Sequence, residues 1–100
     1  MKRPWAFICA SEGATPKHLR NYCREVYLLG YLPVCPKLQD SQYLVLEDTM
    51  ERSEYTAIVR DKLLRCPMLV VCSRNQDATT NAQIGLAQKY NRIVTTLDGL

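Results

Sequence analysis

Short apolar runs alternate with longer stretches in which apolar residues recur every three or four positions. The first run, Trp5-Ala6-Phe7-Ile8-Cys9-Ala10, is continuously apolar, the pattern of a strand covered on both faces. Thr15 followed by Pro16 predicts a helix start, with the side chain of Thr15 as cap and the ring of Pro16 at the first helical position. Leu19, Tyr22, Cys23, Val26 and Leu29 then fall on one face of a helix over 16–29, and Gly30 is placed to end it. Tyr31 to Pro36 predicts a short strand bracketed by prolines, hence an edge strand. Residues 37–49 read as irregular, with one turn around Gln42 to Leu46.

A second helix is expected from Met50 to Arg65, with Tyr55, Ile58, Val59, Leu63 and Cys66 as its apolar stripe and Pro67 as its stop. Met68 to Cys72 is uncharged and rich in valine, as a central strand should be. Asp77 can cap a third helix running to Tyr90, Asn91 closes it, and Arg92 to Thr96 supplies the last strand. The order is β-α-β-α-β-α-β. Each crossover is long enough for a parallel pair, and such crossovers are right-handed. The expected fold is a single α/β domain over 1–100, three layers α/β/α around a four-stranded parallel sheet of order 2-1-3-4. Its topological switch point lies between the first and third strands.

Composition narrows the function. The chain has 100 residues, 47% hydrophobic and 23% charged, with a net charge of +3, which is ordinary globular composition. A domain of this size buries roughly two thirds of its unfolded surface, leaving little room for a separate substrate domain. No apolar run approaches the roughly 20 residues that span a bilayer, and the stretch after Lys2-Arg3 is too short for a signal-peptide core. The sequence pI of 8.7 falls short of the dense basic stripe of a nucleic-acid binder; Lys17, His18, Arg20 and Arg24 read as a solvated helix face. Five cysteines without a close Cys-x-x-Cys pair argue for reduced thiols in a cytoplasmic protein rather than a disulfide framework or zinc ribbon. Cys9, Cys35 and Cys72 fall near strand C-termini, where small apolar fillers are the plainer account. No cofactor or metal is expected.

In an open parallel sheet ligands bind beyond the strand C-termini at the switch point. That rule selects three loops, at 10–15, 35–38 and 73–80. They carry Ser11, Glu12, Lys37, Arg74, Asn75, Asp77 and Thr80, with Gln83 one turn into the third helix. The plainer account is that Ser11 and Asp77 cap and the rest is solvated loop. Phosphate loops of the Gly-x-Gly-x-x-Gly or Walker type are missing. His18 is the single histidine, which leaves Ser–His–acid chemistry and histidine-based metal sites without support.

Three stretches carry a family resemblance. Asn21-Tyr22-Cys23-Arg24 with Gly30-Tyr31-Leu32-Pro33-Val34-Cys35-Pro36-Lys37-Leu38 is one, and Glu51-Arg52 with Leu63-Leu64-Arg65-Cys66 is another. The third, Asp77-Ala78-Thr79-Thr80-Asn81-Ala82-Gln83-Ile84-Gly85-Leu86-Ala87, keeps the spacing of Asp-x-Gly-Thr-x-x-Glu-x-Gly-x-Ala. On these the chain resembles the nucleoside 2-deoxyribosyltransferase-like family, in particular a branch of small bacterial and phage proteins. The resemblance implies the flavodoxin-like sheet order already read, a nucleoside or nucleotide ligand, and oligomers whose pockets a neighbour completes. It also implies that the motif's Glu is a nucleophile attacking the anomeric carbon. Here that position is Gln83, a neutral amide. Asp77 and Thr80 keep the motif's Asp and Thr, Thr79 replaces its Gly, and Lys37 stands where the branch has His.

The resulting expectation is a nucleoside- or nucleotide-binding domain that has lost the usual nucleophile, with Lys37 and Arg74 suited to a phosphorylated ligand. One alternative is an N-glycosidic-bond hydrolase or transferase using another carboxylate, for which Glu12 is the candidate. Another is a protein–protein interaction domain, with Tyr43, Tyr55 and Tyr90 as the first surface residues to consider, although helical spacing turns the last two toward the core. Self-association is expected on physical grounds, since the edge strand and small core both gain from a cover, and residues 97–100 are where a contribution to a neighbour would originate.

Overall fold

The computed structural model describes residues 2–74 and 77–100. Four strands, β1 (Trp5–Cys9), β2 (Leu32–Val34), β3 (Met68–Val71) and β4 (Ile93–Thr96), form one parallel sheet in the order β2-β1-β3-β4. That is the order expected from the sequence. Between them run α1 (Pro16–Leu28), α2 (Pro36–Gln39), α3 (Thr49–Arg65) and α4 (Ala78–Lys89).

The pleat sorts β1 by parity. Phe7 and Cys9 face α3 and α4, where Leu63, Cys66, Leu69 and Ala87 complete a buried cluster. Ala6, Ile8 and Ala10 face α1, where Leu19, Val26, Cys35 and Val70 complete the other. Leu97 and Leu100 pack on this second cluster, so the C-terminal apolar residues cover their own chain's sheet rather than standing free. Among the described residues no helix is long and apolar enough to cross a membrane.

The helix starts follow the capping residues. The hydroxyl of Thr15 accepts from the backbone N–H of His18, whose imidazole in turn accepts from the Thr15 N–H. His18 is thus a capping residue on an exposed turn. Asp48 caps α3 by accepting from Met50 and Glu51. Gly30 has φ +101°, a left-handed conformation that a Cβ disfavours. Gly30→Ala should therefore cost about 1 kcal/mol, readable as a lowered urea midpoint at unchanged slope.

Two departures from the sequence reading bear on the site. Pro36, read as the closing bracket of β2, is the first residue of α2, with Cys35 before it. Proline serves both roles, and here its fixed φ starts a helix. A 3-10 turn at Asp40–Gln42 continues the segment, so helical structure begins six residues before the turn expected at 42–46. The second departure is α3, of which only Leu63 is fully buried. Tyr55 and Val59 lie on the same face and line a cleft, Val59 also packing against the sheet cluster.

Candidate functional site

A cleft of about 750 Å³ opens between α3 and α4 at the C-terminal end of β1. Phe7, Ile8 and Ala10 line its base. One wall is the face of α3 carrying Arg52, Tyr55, Thr56, Val59 and Arg60; the other is the face of α4 carrying Thr79, Ala82, Gln83 and Leu86. Both sets follow the three-and-four spacing of a single helix face. Glu12, from the loop after β1, and Lys37, from α2, also line it.

The loops at the sheet's C-terminal edge are tied to one another. The Glu12 N–H donates to Asp77 Oδ2 at 2.8 Å, and the hydroxyl of Thr79 donates to Glu12 Oε1 at 3.0 Å. The Ser11 N–H donates to Ser73 Oγ at 2.8 Å. Lys37 Nζ donates to the carbonyls of Ser11, at 2.9 Å, and Glu12. The ammonium of Lys37 thus clamps the β1 loop and keeps one of its three donors for a ligand.

Of the residues selected from sequence, Glu12, Lys37 and Gln83 meet in the cleft. The side chain of Gln83 makes no hydrogen bond among the described residues, so its amide is available to whatever enters. Asp77 stands behind the wall: its carboxylate caps α4 by accepting from Thr80 N at 2.9 Å and holds the Glu12 loop. Those N–H groups hold its carboxyl below the usual carboxylate range. Ser11 is tied to Ser73 and Lys37 outside the lining. Thr80 is fully buried, its hydroxyl unpartnered, while its carbonyl accepts from the Cys9 thiol. Arg74 is exposed and does not line the cleft. Asn75 lies outside the described residues.

Sequence reading missed the α3 wall. Arg52 enters there only as part of a resemblance, and Tyr55 as a core-facing residue or a protein-contact residue, not as part of a ligand cleft. The available signal was polar interruption of an otherwise apolar stripe, since Arg52, Thr56 and Arg60 share a face with Tyr55 and Val59. Burial pushes the Tyr55 phenol up to about 12, with the charge of Glu12 adding to the rise and Arg52 opposing it. Tyr55 therefore stays a neutral donor throughout the physiological range. Tyr43 is well exposed and Tyr90 partly so.

The cysteines separate by face. Cys9 lies in the α3/α4 cluster, whereas Cys35 packs with Cys23 and Cys72 under α1. Burial lifts the thiols of Cys9 and Cys72 to about 12 and that of Cys66 to about 11, so these stay protonated. Cys23 hydrogen-bonds to Cys35, which raises the Cys23 thiol and lowers that of Cys35. Among the described residues no group of three or more His, Cys, Asp or Glu side chains is placed to hold a metal ion.

No family model and no curated protein matches the chain. Among solved structures, a 2-deoxyribosyltransferase from the psychrotolerant bacterium Bacillus psychrosaccharolyticus matches it with a TM-score of 0.76 at 12% identity, over 92% of this chain and 70% of that one. That enzyme is described as a biocatalyst for the industrial synthesis of antiviral and antitumoral nucleosides. At such low identity the likeness is one of architecture, and it extends over nearly the whole chain: this protein is built on the 2-deoxyribosyltransferase fold.

Proposed function

We propose that the cleft between α3 and α4 binds a nucleoside or nucleotide and that Gln83 contacts the sugar without attacking it. The observation that carries this reading is the position of Gln83, which lines the cleft at the place where the resembling motif has its carboxylate. The apolar surfaces of Val59, Leu86 and Ala82 suit a planar base, and Tyr55 adds both stacking area and a hydroxyl donor. An amide in place of the carboxylate can hydrogen-bond sugar hydroxyls but cannot form the glycosyl ester or balance positive charge on the ring.

Thermal shift with 2′-deoxynucleosides, ribonucleosides and their 5′-monophosphates tests the reading. A ligand at ~100 times its dissociation constant adds about 2.7 kcal/mol, which in a domain this small raises Tm by roughly ten degrees or more. Asp77→Ala, which unties the Glu12 loop from α4, should weaken the shift while the far-UV circular dichroism is retained. A flat panel at millimolar ligand overturns the reading.

A second reading has its own observation. Glu12 is the carboxylate in the cleft lining, and the hydroxyl of Thr79 orients it. If the protein cleaves an N-glycosidic bond, Glu12 is the residue to supply the negative charge. Base release by the wild type that is lost in Glu12→Ala supports it; no release from any member of the same panel counts against it.

A further inference from the structure

We infer that the cleft selects a ligand carrying a phosphoryl group over the corresponding neutral nucleoside, and that Arg52 and Arg60 of α3 are the residues that select it. The inference rests on the nucleoside-binding reading and adds to it the charge of the ligand and the residues that read that charge.

Three cations, Lys37, Arg52 and Arg60, line the cleft against one carboxylate, Glu12. The remaining cations of α3 are otherwise engaged: Lys62 pairs with Asp40 at 2.7 Å and Arg65 with Asp61 at 3.1 Å, and these are the ion pairs among the described residues. Arg52 and Arg60 have no carboxylate partner there. Lys37 is largely occupied by the Ser11 and Glu12 carbonyls. Arg60 is oriented rather than neutralised, because Nη2 donates to the Tyr90 hydroxyl at 3.2 Å. Its remaining donors stay free.

A cleft with this surplus of positive charge complements about two negative charges, which is what a phosphate monoester carries near pH 7. A guanidinium also offers paired, parallel donors to two phosphate oxygens, which an ammonium cannot. Arg52 and Arg60 lie eight residues apart, about 12 Å along the helix axis, with Tyr55 and Val59 between them. The apolar part of the α3 wall is thus flanked by cations at both ends. A base lying on that part places a sugar-borne phosphate within reach of a guanidinium on either side. Arg74, the arginine that the loop positions suggested for this role, is outside the cleft lining.

The test is a calorimetric comparison of the four 2′-deoxynucleosides with their 5′-monophosphates, and of inorganic pyrophosphate alone. It is made on the wild type, on R52Q/R60Q, and on R65Q as a matched control whose guanidinium lies outside the cleft. The wild type and R65Q should bind at least one monophosphate about tenfold or more tightly than its nucleoside, the size expected of one charge-assisted contact. In R52Q/R60Q the ratio of monophosphate to nucleoside affinity should fall to about one, and pyrophosphate binding should be lost. Nucleosides binding as tightly as monophosphates, or a preference that survives R52Q/R60Q, overturns the inference and leaves the nucleoside reading standing. Pyrophosphate binding that depends on Arg52 and Arg60 without any nucleoside binding supports the anion site and overturns the nucleoside reading instead. No binding by any of these ligands overturns both.

Discussion

Gln83→Glu is expected to give the protein release of free base from 2′-deoxynucleosides at a rate at least about 10²-fold above wild type, because an anion fixed against charge developing in the transition state is worth roughly 10²–10³ in rate. The substitution is nearly isosteric. Gln83 is half-buried on the α4 wall and makes no side-chain hydrogen bond among the described residues, so no existing contact is lost. Arg52, Arg60 and Lys37 line the same cleft and favour the ionised form of an introduced carboxylate. Chromatographic assay of free base over hours checks the expectation. Release in Gln83→Glu but not in wild type identifies the amide as the block to chemistry. A variant that still binds nucleosides but releases nothing shows that the anomeric carbon does not come to residue 83. The same assay on wild type and Glu12→Ala separates that case from one in which Glu12 already does the work.

What the sequence made legible was whatever depends on local chemistry and on chain geometry. Thr15-Pro16 and Asp77 start helices because their side chains satisfy free N–H groups, and those rules operate within a few residues. Parallel pairing follows from crossover length, and the order is the doubly wound one among the few topologies that right-handed crossovers leave. The α2 turn was not legible, because Pro36 is as compatible with ending an extended segment as with starting a helix, and residues 37–49 have no clear periodicity. The α3 wall was hidden for a different reason. Its stripe of Tyr55, Ile58, Val59 and Leu63 fits a helix buried along its length, and only packing decides that Leu63 reaches the core while Tyr55 borders open space.

The site was legible by position and less so by role. The switch-point rule brought forward Glu12 and Lys37, and spacing brought forward Gln83; all three line the cleft. That same rule cannot tell a residue that faces a ligand from one that braces the loop behind it. Asp77 is committed to the N–H groups of Glu12 and Thr80, and Lys37 to two carbonyls. Donor and acceptor satisfaction of this kind depends on how three loops meet. It is absent from any one of them read alone.

That bracing extends beneath α2, where the largest stability effect is expected. Asp40 is only 4% exposed. One of its oxygens accepts from Lys62 Nζ at 2.7 Å and the other from the hydroxyl of Tyr43. Lys62→Met keeps the length and apolar stem of the side chain but leaves the carboxylate buried with a single neutral donor. Removing one member of a buried pair costs about 3–5 kcal/mol, and the lower end applies because the Lys62 side chain is a third exposed. A loss of about 3 kcal/mol lowers Tm by more than roughly 10 °C in a domain of this size. Replacing both partners with apolar residues, as in Asp40→Leu with Lys62→Met, should recover most of the loss, since the penalty lies in the orphaned charge and not in the missing attraction. A Tm change of only a degree or two in Lys62→Met would mean that water reaches Asp40 in solution. Because Asp40 follows α2 directly and Lys37 of α2 holds the Glu12 loop, the single variant should also loosen the cleft mouth. Its nucleotide affinity is then expected to fall further than that of the double replacement, which ties the buried pair to the geometry of the cleft.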